Sequence, residues 1–519
     1  YIHLLSRSFG PDATQIHGYP GHPEIELALL RFHTFTGSQE AYSLARYSIE
    51  ERGNPSGVDG QHFYDSEAEA RGDVPWKSPN SFPRAKSYWY SQAQQPILQQ
   101  QTIEGHAVRA MYLLTPVTDT LCLEQLGIHT FRPERAQWFD TVTRLWNNMV
   151  GRKMYITGGI GAVKQWEGFE IDYFLPQGTD EGGCYSETCA AIGVMMVAER
   201  LLHVGLDSRY ADIMELCLYN SVMTSMSLDG KEFTYVNQLA SSGQDKSARE
   251  EWFDCACCPP NLTRLFGSLG GYLWDYSAAS CSTAYVNVHL YATAKLAFAM
   301  GENSVTLEET SHWPFGGKIS FQLKAPEDVE VILRLRVPAW ARENFETLIC
   351  LSLTPNLECP KLEKGYLVLP SSYMQSNPSF VLNINGFQPR FIQPHPYTNQ
   401  QVVALARGPI IYCLEDVDNQ WEQNHFKDVC ISPAGRIVEE RREHIVMQQS
   451  KEEHIALHAT GWHRSMPEWV EKRAGVEPSL PVKMSRESPK TERSLCFIPY
   501  YFRANRGGKG QMRVGLHQA

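Results

Sequence analysis

The sequence predicts a multidomain chain that is helical first and β-rich after, and three observations carry that reading. At 519 residues the chain exceeds what one core usually serves, so two or three domains are expected. Up to about Trp274 apolar residues recur with the 3.6-residue period of amphipathic helices. Beyond it they alternate with period two, and turn residues punctuate short runs. The helical part reads as a bundle, a solenoid or an α/α barrel, and no fixed-period repeat is visible in it.

Taken in order, Glu24 to Thr36 sets Ile25, Ala28, Leu29, Phe32 and Phe35 on one stripe. Gly37-Ser38 breaks the pattern and Glu40 to Arg52 restarts it, which predicts a helical hairpin. Amphipathic stretches follow over Thr102 to Leu114, Glu134 to Met149, Glu187 to Leu202 and Tyr210 to Met226. The run from Ala284 to Tyr291 is rich in β-formers. Lys318 to Leu323, Glu330 to Val337 and Gly365 to Leu369 read as further strands. From about residue 275 the expectation is antiparallel β sandwich in two modules, giving domains 1–274, 275–385 and 386–519. Gln420 to Arg493 is densely charged and reads as loop-rich.

A formal charge of -11, with no basic stripe interleaved with aromatics, excludes a nucleic-acid partner. No run approaches about eighteen apolar residues, so no membrane span is expected. The first residue is Tyr1, and Tyr1-Ile2-His3-Leu4-Leu5-Ser6-Arg7 does not resemble a signal peptide, so a fragment or processed form is expected. Thirteen scattered cysteines fit reduced thiols in a cytoplasmic setting better than a disulfide scaffold.

The chemistry-bearing pattern is Asp254-Cys255-Ala256-Cys257-Cys258-Pro259-Pro260-Asn261, with Glu187-Thr188-Cys189 upstream. Three thiols and a carboxylate suit one tetrahedral zinc ion, with Cys255 a spare thiol nearby. Vicinal side chains diverge by about 100° on a helix, so Pro259 is expected to keep Cys258 out of the helical region. A helix beginning at Asn261 would then aim its positive end at the thiols. Four protein ligands alone would mean a closed, structural site.

Thr157-Gly158-Gly159-Ile160-Gly161 lacks both the P-loop ending and the dinucleotide spacing, and reads as a turn delivering Glu167, Glu170 and Asp172. His22 and His106 each follow a glycine near a helix start, a position more often structural, yet shared by two histidines that could line one mouth. Trp89, Tyr90, Trp166, Tyr173 and Tyr235 are candidates for stacking on sugars, although most aromatics fill cores. Asn261-Leu262-Thr263 matches a glycosylation sequon and is discounted because it adjoins the thiols.

These motifs together resemble glycoside hydrolase family 127, the β-L-arabinofuranosidases. They include Cys257-Cys258-Pro259-Pro260-Asn261, Glu187-Thr188-Cys189, Gly21-His22-Pro23-Glu24, Gly105-His106-Ala107-Val108-Arg109-Ala110 and Arg503-Ala504-Asn505-Arg506-Gly507. The resemblance implies an (α/α)6 barrel followed by β-sandwich, jelly-roll-like domains. It implies zinc held by Glu187, Cys189, Cys257 and Cys258, with Cys257 as nucleophile. Trp166-Glu167-Gly168-Phe169 resembles the family's acid/base loop, with Trp in place of a glycine, which puts that role on Glu167. Substrate contacts carry over to His22, His106 and Tyr235.

Three departures stand out. A family Tyr-Cys-x-Gly-His segment that brings another substrate histidine is absent. The run from Gln177 to Tyr185, with Glu181-Gly182-Gly183-Cys184, is longer than usual. Thr115-Pro116-Val117-Thr118-Asp119 replaces a glycine-bearing helix junction.

The expected function is a zinc-dependent retaining glycosidase that releases terminal β-linked L-arabinofuranose or a related sugar. The partner is a small carbohydrate, with no nucleic acid or membrane, and a homodimer stays open. The rivals are a carbohydrate-binding or scaffold protein with purely structural zinc, and an epimerase or lyase on the same helical frame.

Overall fold

A computed structural model of the chain describes residues 1–56, 60–72, 88–246, 248–252, 254–280, 282–342, 360–420, 426–447, 450–464 and 490–519. The helical part contains α1 (Ile2–Ser8), α2 (Glu24–Thr36), α3 (Gln39–Glu51), α4 (Phe63–Ala70), α5 (Ala107–Gln125), α6 (Arg135–Asn148), α7 (Thr188–Val204), α8 (Ser208–Leu216) and α9 (Cys258–Gly267). No helix among the described residues is long and apolar enough to cross a membrane.

The α2–α3 hairpin forms where its sequence signals lie. Gly37 takes φ 75°, which a glycine adopts freely, and its amide closes on His33 O at 2.7 Å. Ser38 caps α3 by accepting from the Ala41 amide at 3.3 Å. The buried face of α2 differs from the expected stripe. Glu26, Leu27, Leu29, Leu30 and His33 are inside, while Phe32 and Phe35 face solvent. The polar pair turns inward because each has a partner: Glu26 accepts from Arg52, and His33 bonds Ser38 O.

Helix α5 starts at Ala107 rather than Thr102, because the His106 ring accepts from the Val108 amide and so caps the helix. It then runs without a break through the 115–119 segment, Pro116 included. It is buried on nearly every side, as is α7, and these two central helices pack against each other.

Two sheets follow. One contains strands Trp274–Ala278, Thr283–Val288, Glu330–Arg336, Lys361–Glu363 and Tyr366–Leu369; the other contains Ala294–Met300, Asn303–Ser311, Lys318–Lys324 and Ser379–Asn383. Their alternating inner residues, such as Val286, Leu333, Val305 and Phe321, share one core with the helices. Among the described residues a ten-stranded sheet, with strands from Arg390–Ile392 to Leu516–Gln518, also takes in Ala240–Ser241 from the helical part, paired with Met512–Arg513.

Two expectations change here. The strands are not all antiparallel: Thr283–Val288 runs parallel to Glu330–Arg336, and Val429–Ile431 to Leu516–Gln518. The charged 420–493 segment is not loop-rich where it is described. It forms a long hairpin of Ile437–Met447 and Ser450–Arg464, with Lys490–Pro499 alongside. Residues 421–425, 448–449 and 465–489 of that segment lie outside the described residues. Charge hides the alternation, because Glu440 pairs with Arg442 and His458 on the outer face while Ile455, Leu457 and Ala459 point in.

Candidate active site

Three thiols meet where the N-termini of α7 and α9 converge. Cys189 Sγ lies 3.5 Å from Cys257 Sγ and 3.7 Å from Cys258 Sγ, and the adjacent pair is 3.8 Å apart. The adjacent cysteines do not need an irregular backbone, contrary to the expectation. Helix α9 begins at Cys258 itself, and Cys257 before it has φ -78° and ψ -30°. Pro259 and Pro260 are tolerated because first-turn amides have no intrahelical acceptor to lose. Both helix ends direct partial positive charge at the sulfurs. Hydrogen bonds from Cys189, then Cys258, lower the Cys257 pKa to about 3, whereas its two neighbours are pushed up. Cys258 and Cys189 are buried, and Cys257 is partly open. The cluster has the donors to hold a metal ion.

Beside it stands a carboxylate cluster, in which His106, Glu167 and Glu187 place ligand atoms within 4.8 Å of one another. His106 Nδ1 accepts from the Val108 amide at 3.2 Å, so the neutral ring carries its proton on Nε2, 3.1 Å from Glu167 Oε2. Tyr185 and Tyr235 hydroxyls both donate to Glu167 Oε1 at 3.3 Å. The His106 bond, ahead of all other influences, holds the Glu167 carboxyl below its usual range. Glu187 is the opposite case. It is 1% exposed, its Oε2 is a buried atom without a hydrogen-bond partner, and burial raises its pKa well above the ordinary value.

Glu167 sits at φ 51°, uncommon for a residue with a side chain. Its neighbours enforce this. The Glu167 carbonyl accepts from the Ala107 amide at 3.1 Å, and the Phe169 amide bonds Gly105 O at 2.9 Å. A Cβ on Gly168 would stand 1.8 Å from Gly105 O, so only glycine fits that approach.

The remaining candidates divide. His22 is in part open to solvent and lies 5.4 Å from the Tyr112 ring. Desolvation, then Arg109 and His106, lower its pKa to about 4, so the ring is neutral at neutral pH. Tyr90 lies 5.2 Å from His106 and carries Arg109 over its face at 4.4 Å, while Trp89 adjoins Trp166 at 5.2 Å. Tyr173 stacks instead on His395, away from this cluster, and Asp172 pairs with Arg152 at 2.8 Å. Cys255 is exposed. The Glu181–Cys184 run turns toward the C-terminal sheet, where Glu181 meets Arg513 and Lys427. Asn261 is buried against Tyr112, at 3.0 and 3.2 Å, which leaves no room for a glycan. Tyr185 was not among the sequence candidates, since a lone tyrosine carries no signal until the fold brings it to Glu167.

The chain is similar to known proteins along its length. The GH127 catalytic domain of beta-L-arabinofuranosidase matches residues 1–271, the GH127 middle domain 285–369 and the family 127 C-terminal domain 389–517. The non-reducing end beta-L-arabinofuranosidase of Bifidobacterium longum subsp. longum is 34% identical over 436 residues, 80% of this chain. The chain spans 60% of the length of that relative. The crystal structure of a GH127 beta-L-arabinofuranosidase from Geobacillus stearothermophilus T6 superposes with TM-score 0.80 at 30% identity, covering 100% of this chain and 75% of that one. A second GH127 beta-arabinofuranosidase structure gives TM-score 0.74 at 25% identity, covering 100% and 72%. With the catalytic-domain match spanning more than half its residues, the chain belongs to glycoside hydrolase family 127.

Proposed function

We propose that the protein is a retaining glycosidase that releases terminal β-linked L-arabinofuranose, with Cys257 as nucleophile and Glu167 as acid/base. One observation carries this reading: a partly open thiol in a three-sulfur cluster stands beside a carboxylate braced by His106, Tyr185 and Tyr235. We also read the units 1–274, 275–385 and 386–519 as an (α/α)6 barrel with two jelly-roll-like sandwiches, a reading that the helix-then-sheet order supports.

Glu187, Cys189, Cys257 and Cys258 would hold a zinc ion. Tetrahedral thiolate ligands about 2.3 Å from zinc stand about 3.8 Å apart, close to the 3.5, 3.7 and 3.8 Å separations here. The unpartnered Glu187 oxygen fits the same purpose, since a cation offers the charge that its burial withholds. When bound, the metal keeps its cysteine ligands deprotonated while sulfur remains nucleophilic.

The Cys257 thiolate attacks the anomeric carbon, the bond to the departing oxygen breaks, and Glu167 gives that oxygen a proton. Glu167, again a carboxylate, then takes a proton from the water that displaces sulfur. Two inversions leave the configuration retained. Because His106 holds Glu167 ionised at rest, the first step needs a proton taken up beforehand, and it slows as pH rises. His22, His106 and Tyr235 would serve as sugar contacts.

The spacing of Glu167 and Glu187 favours a second reading, since paired carboxylates about 5 Å apart serve ordinary retaining glycosidases. Near-complete burial makes Glu187 the poorer nucleophile. The test is hydrolysis of an aryl β-L-arabinofuranoside followed by NMR, with an electrophilic arabinofuranose analogue to label the nucleophile. Initial release of the β anomer and a label on Cys257 are expected; a label on Glu187 supports the carboxylate pair. If the wild type is inert and binds arabinose as Glu167→Gln does, the protein is a binding scaffold.

A further inference from the structure

Arg503 opens the Arg503-Ala504-Asn505-Arg506-Gly507 run and takes no part in the chemistry above, yet it is completely buried. It lies at the seam between the C-terminal sheet and the helical part. Its Nε donates to Thr224 Oγ1 at 2.7 Å, and Nη2 donates to Asn237 Oδ1 at 3.3 Å. From the helical side Arg249 Nη1 donates to the Arg503 carbonyl at 2.6 Å, which fixes the backbone that carries the guanidinium.

Asn237 gives this reach its meaning. It too is fully buried, and both ends of its amide are engaged. Oδ1 also accepts from Thr234 Oγ1 at 2.7 Å, and Nδ2 donates to Thr188 Oγ1 at 3.0 Å and to Ser221 O at 3.2 Å. Thr188 lies between Glu187 and Cys189, and Thr234 precedes Tyr235. The ring of bonds closes through Thr188, whose hydroxyl donates to Thr234 O at 2.9 Å and whose amide donates to Tyr235 O at 3.1 Å. One side-chain amide therefore spaces the segment bearing Tyr235 from the start of α7. A guanidinium can only donate, so it holds Oδ1 toward the C-terminal domain and leaves Nδ2 for Thr188.

We propose that Arg503 is a positioning residue which, acting through Asn237, holds Tyr235 and Glu187 in the places from which they face Glu167. The C-terminal domain thereby completes the active site. This rests on the reading of Cys257 and Glu167 as the reacting pair.

The test uses the full chain with Arg503→Met, Asn237→Ala and the two combined. It measures kcat, KM and their pH dependence on an aryl β-L-arabinofuranoside, and counts folded protein by circular dichroism. Each single variant should lower kcat per folded molecule on the order of ten- to a hundredfold, as displacements near 1 Å do. KM should change by less than about threefold, and the pH at which kcat/KM declines should move. The double variant should fall no further than the worse single, since the two residues act in series.

Asn419→Ala is the control for stability alone. That side chain is buried within the C-terminal sheet, donating to Glu415 O and Cys496 O at 2.9 Å, and its loss should leave kcat per folded molecule unchanged. If Arg503→Met does not fold, Arg503→Lys replaces it, because an ammonium at that site cannot span both acceptors. Turnover within about twofold of wild type in both singles overturns the proposal, as do losses that multiply in the double. An Asn419→Ala loss as large as that of Arg503→Met overturns it too. A wild type without turnover overturns the reading of the site itself, a distinct outcome.

Discussion

Replacing Arg52 by methionine should destabilise the helical part more than any surface change, and the cost can be worked from its partners. The guanidinium is 1% exposed and donates to Glu26 Oε1 at 2.8 Å, Pro20 O at 2.9 Å, Ser91 O at 2.9 Å and Tyr64 OH at 3.3 Å. Methionine fills much of the volume but strands Glu26, itself 0% exposed, as a buried charge without its counterion. Breaking a buried pair from one side costs about 3–5 kcal/mol, out of a total stability of about 5–15 kcal/mol. For a part of this size, that lowers the melting temperature on the order of 10 °C. Adding Glu26→Gln removes the stranded charge and should recover at least about 2 kcal/mol, because removing both partners is far milder than removing one. Thermal melting followed by far-ultraviolet circular dichroism reads each variant. Turnover should suffer as well, since Pro20 leads to His22 and Ser91 follows Tyr90. An Arg52→Met variant melting within about 2 °C of wild type, or a double variant no better than the single, would refute the reasoning.

Further tests address the site and the sheets. Cys257→Ser should lower kcat on the order of a thousandfold or more while circular dichroism stays unchanged; undiminished hydrolysis would remove Cys257 from the mechanism. Elemental analysis should find about one zinc per wild-type chain, and a chelator should abolish turnover until zinc is restored. Gly168→Ala should cost about a hundredfold in kcat, because its Cβ would meet Gly105 O at 1.8 Å and push Glu167 from its place. Burial raises the Glu309 pKa from 4.5 to about 8, so the folded chain binds that proton more tightly than the unfolded one. The stability is complete below pH 4.5 and is lost as pH rises to about 8, a loss on the order of 5 kcal/mol that Glu309→Gln should abolish. Melting temperatures from pH 5 to 8 that decline equally in both proteins would contradict this.

The family was legible because its motifs are distinctive and stand in order along the chain: adjacent cysteines before two prolines, a Glu-x-Cys triplet upstream, and the Gly-His pairs. Most of the helices were legible from their period, and four of the nine described middle strands, those at Thr283–Val288, Lys318–Lys324, Glu330–Arg336 and Tyr366–Leu369, from alternation or β-forming residues. Other features were decided by partners that a local pattern cannot show. The face of α2 is set by Arg52, twenty-six residues from the Glu26 it turns inward. The start of α5 is set by an imidazole acting as a cap, a duty usually given to Ser or Asp. The charged hairpin hides its apolar alternation beneath ion pairs on the outer face. Tyr185 and Asn237 matter only once the fold gathers segments remote in sequence, and Arg503 reaches Asn237 across 266 positions.

The pairing of Ala240–Ser241 with Met512–Arg513 has a practical corollary for dissecting or recombining the molecule. Along that same border Gln177 exchanges bonds with Gly515 at 2.8 and 3.2 Å, and Asn220 does so with Pro409 and Ile411 at 3.0 and 2.8 Å. A polypeptide ending after residue 271 would leave those amides unmatched and one ribbon edge bare, inviting self-association in place of catalysis. Chimeras between homologues should therefore exchange head and tail as a matched set.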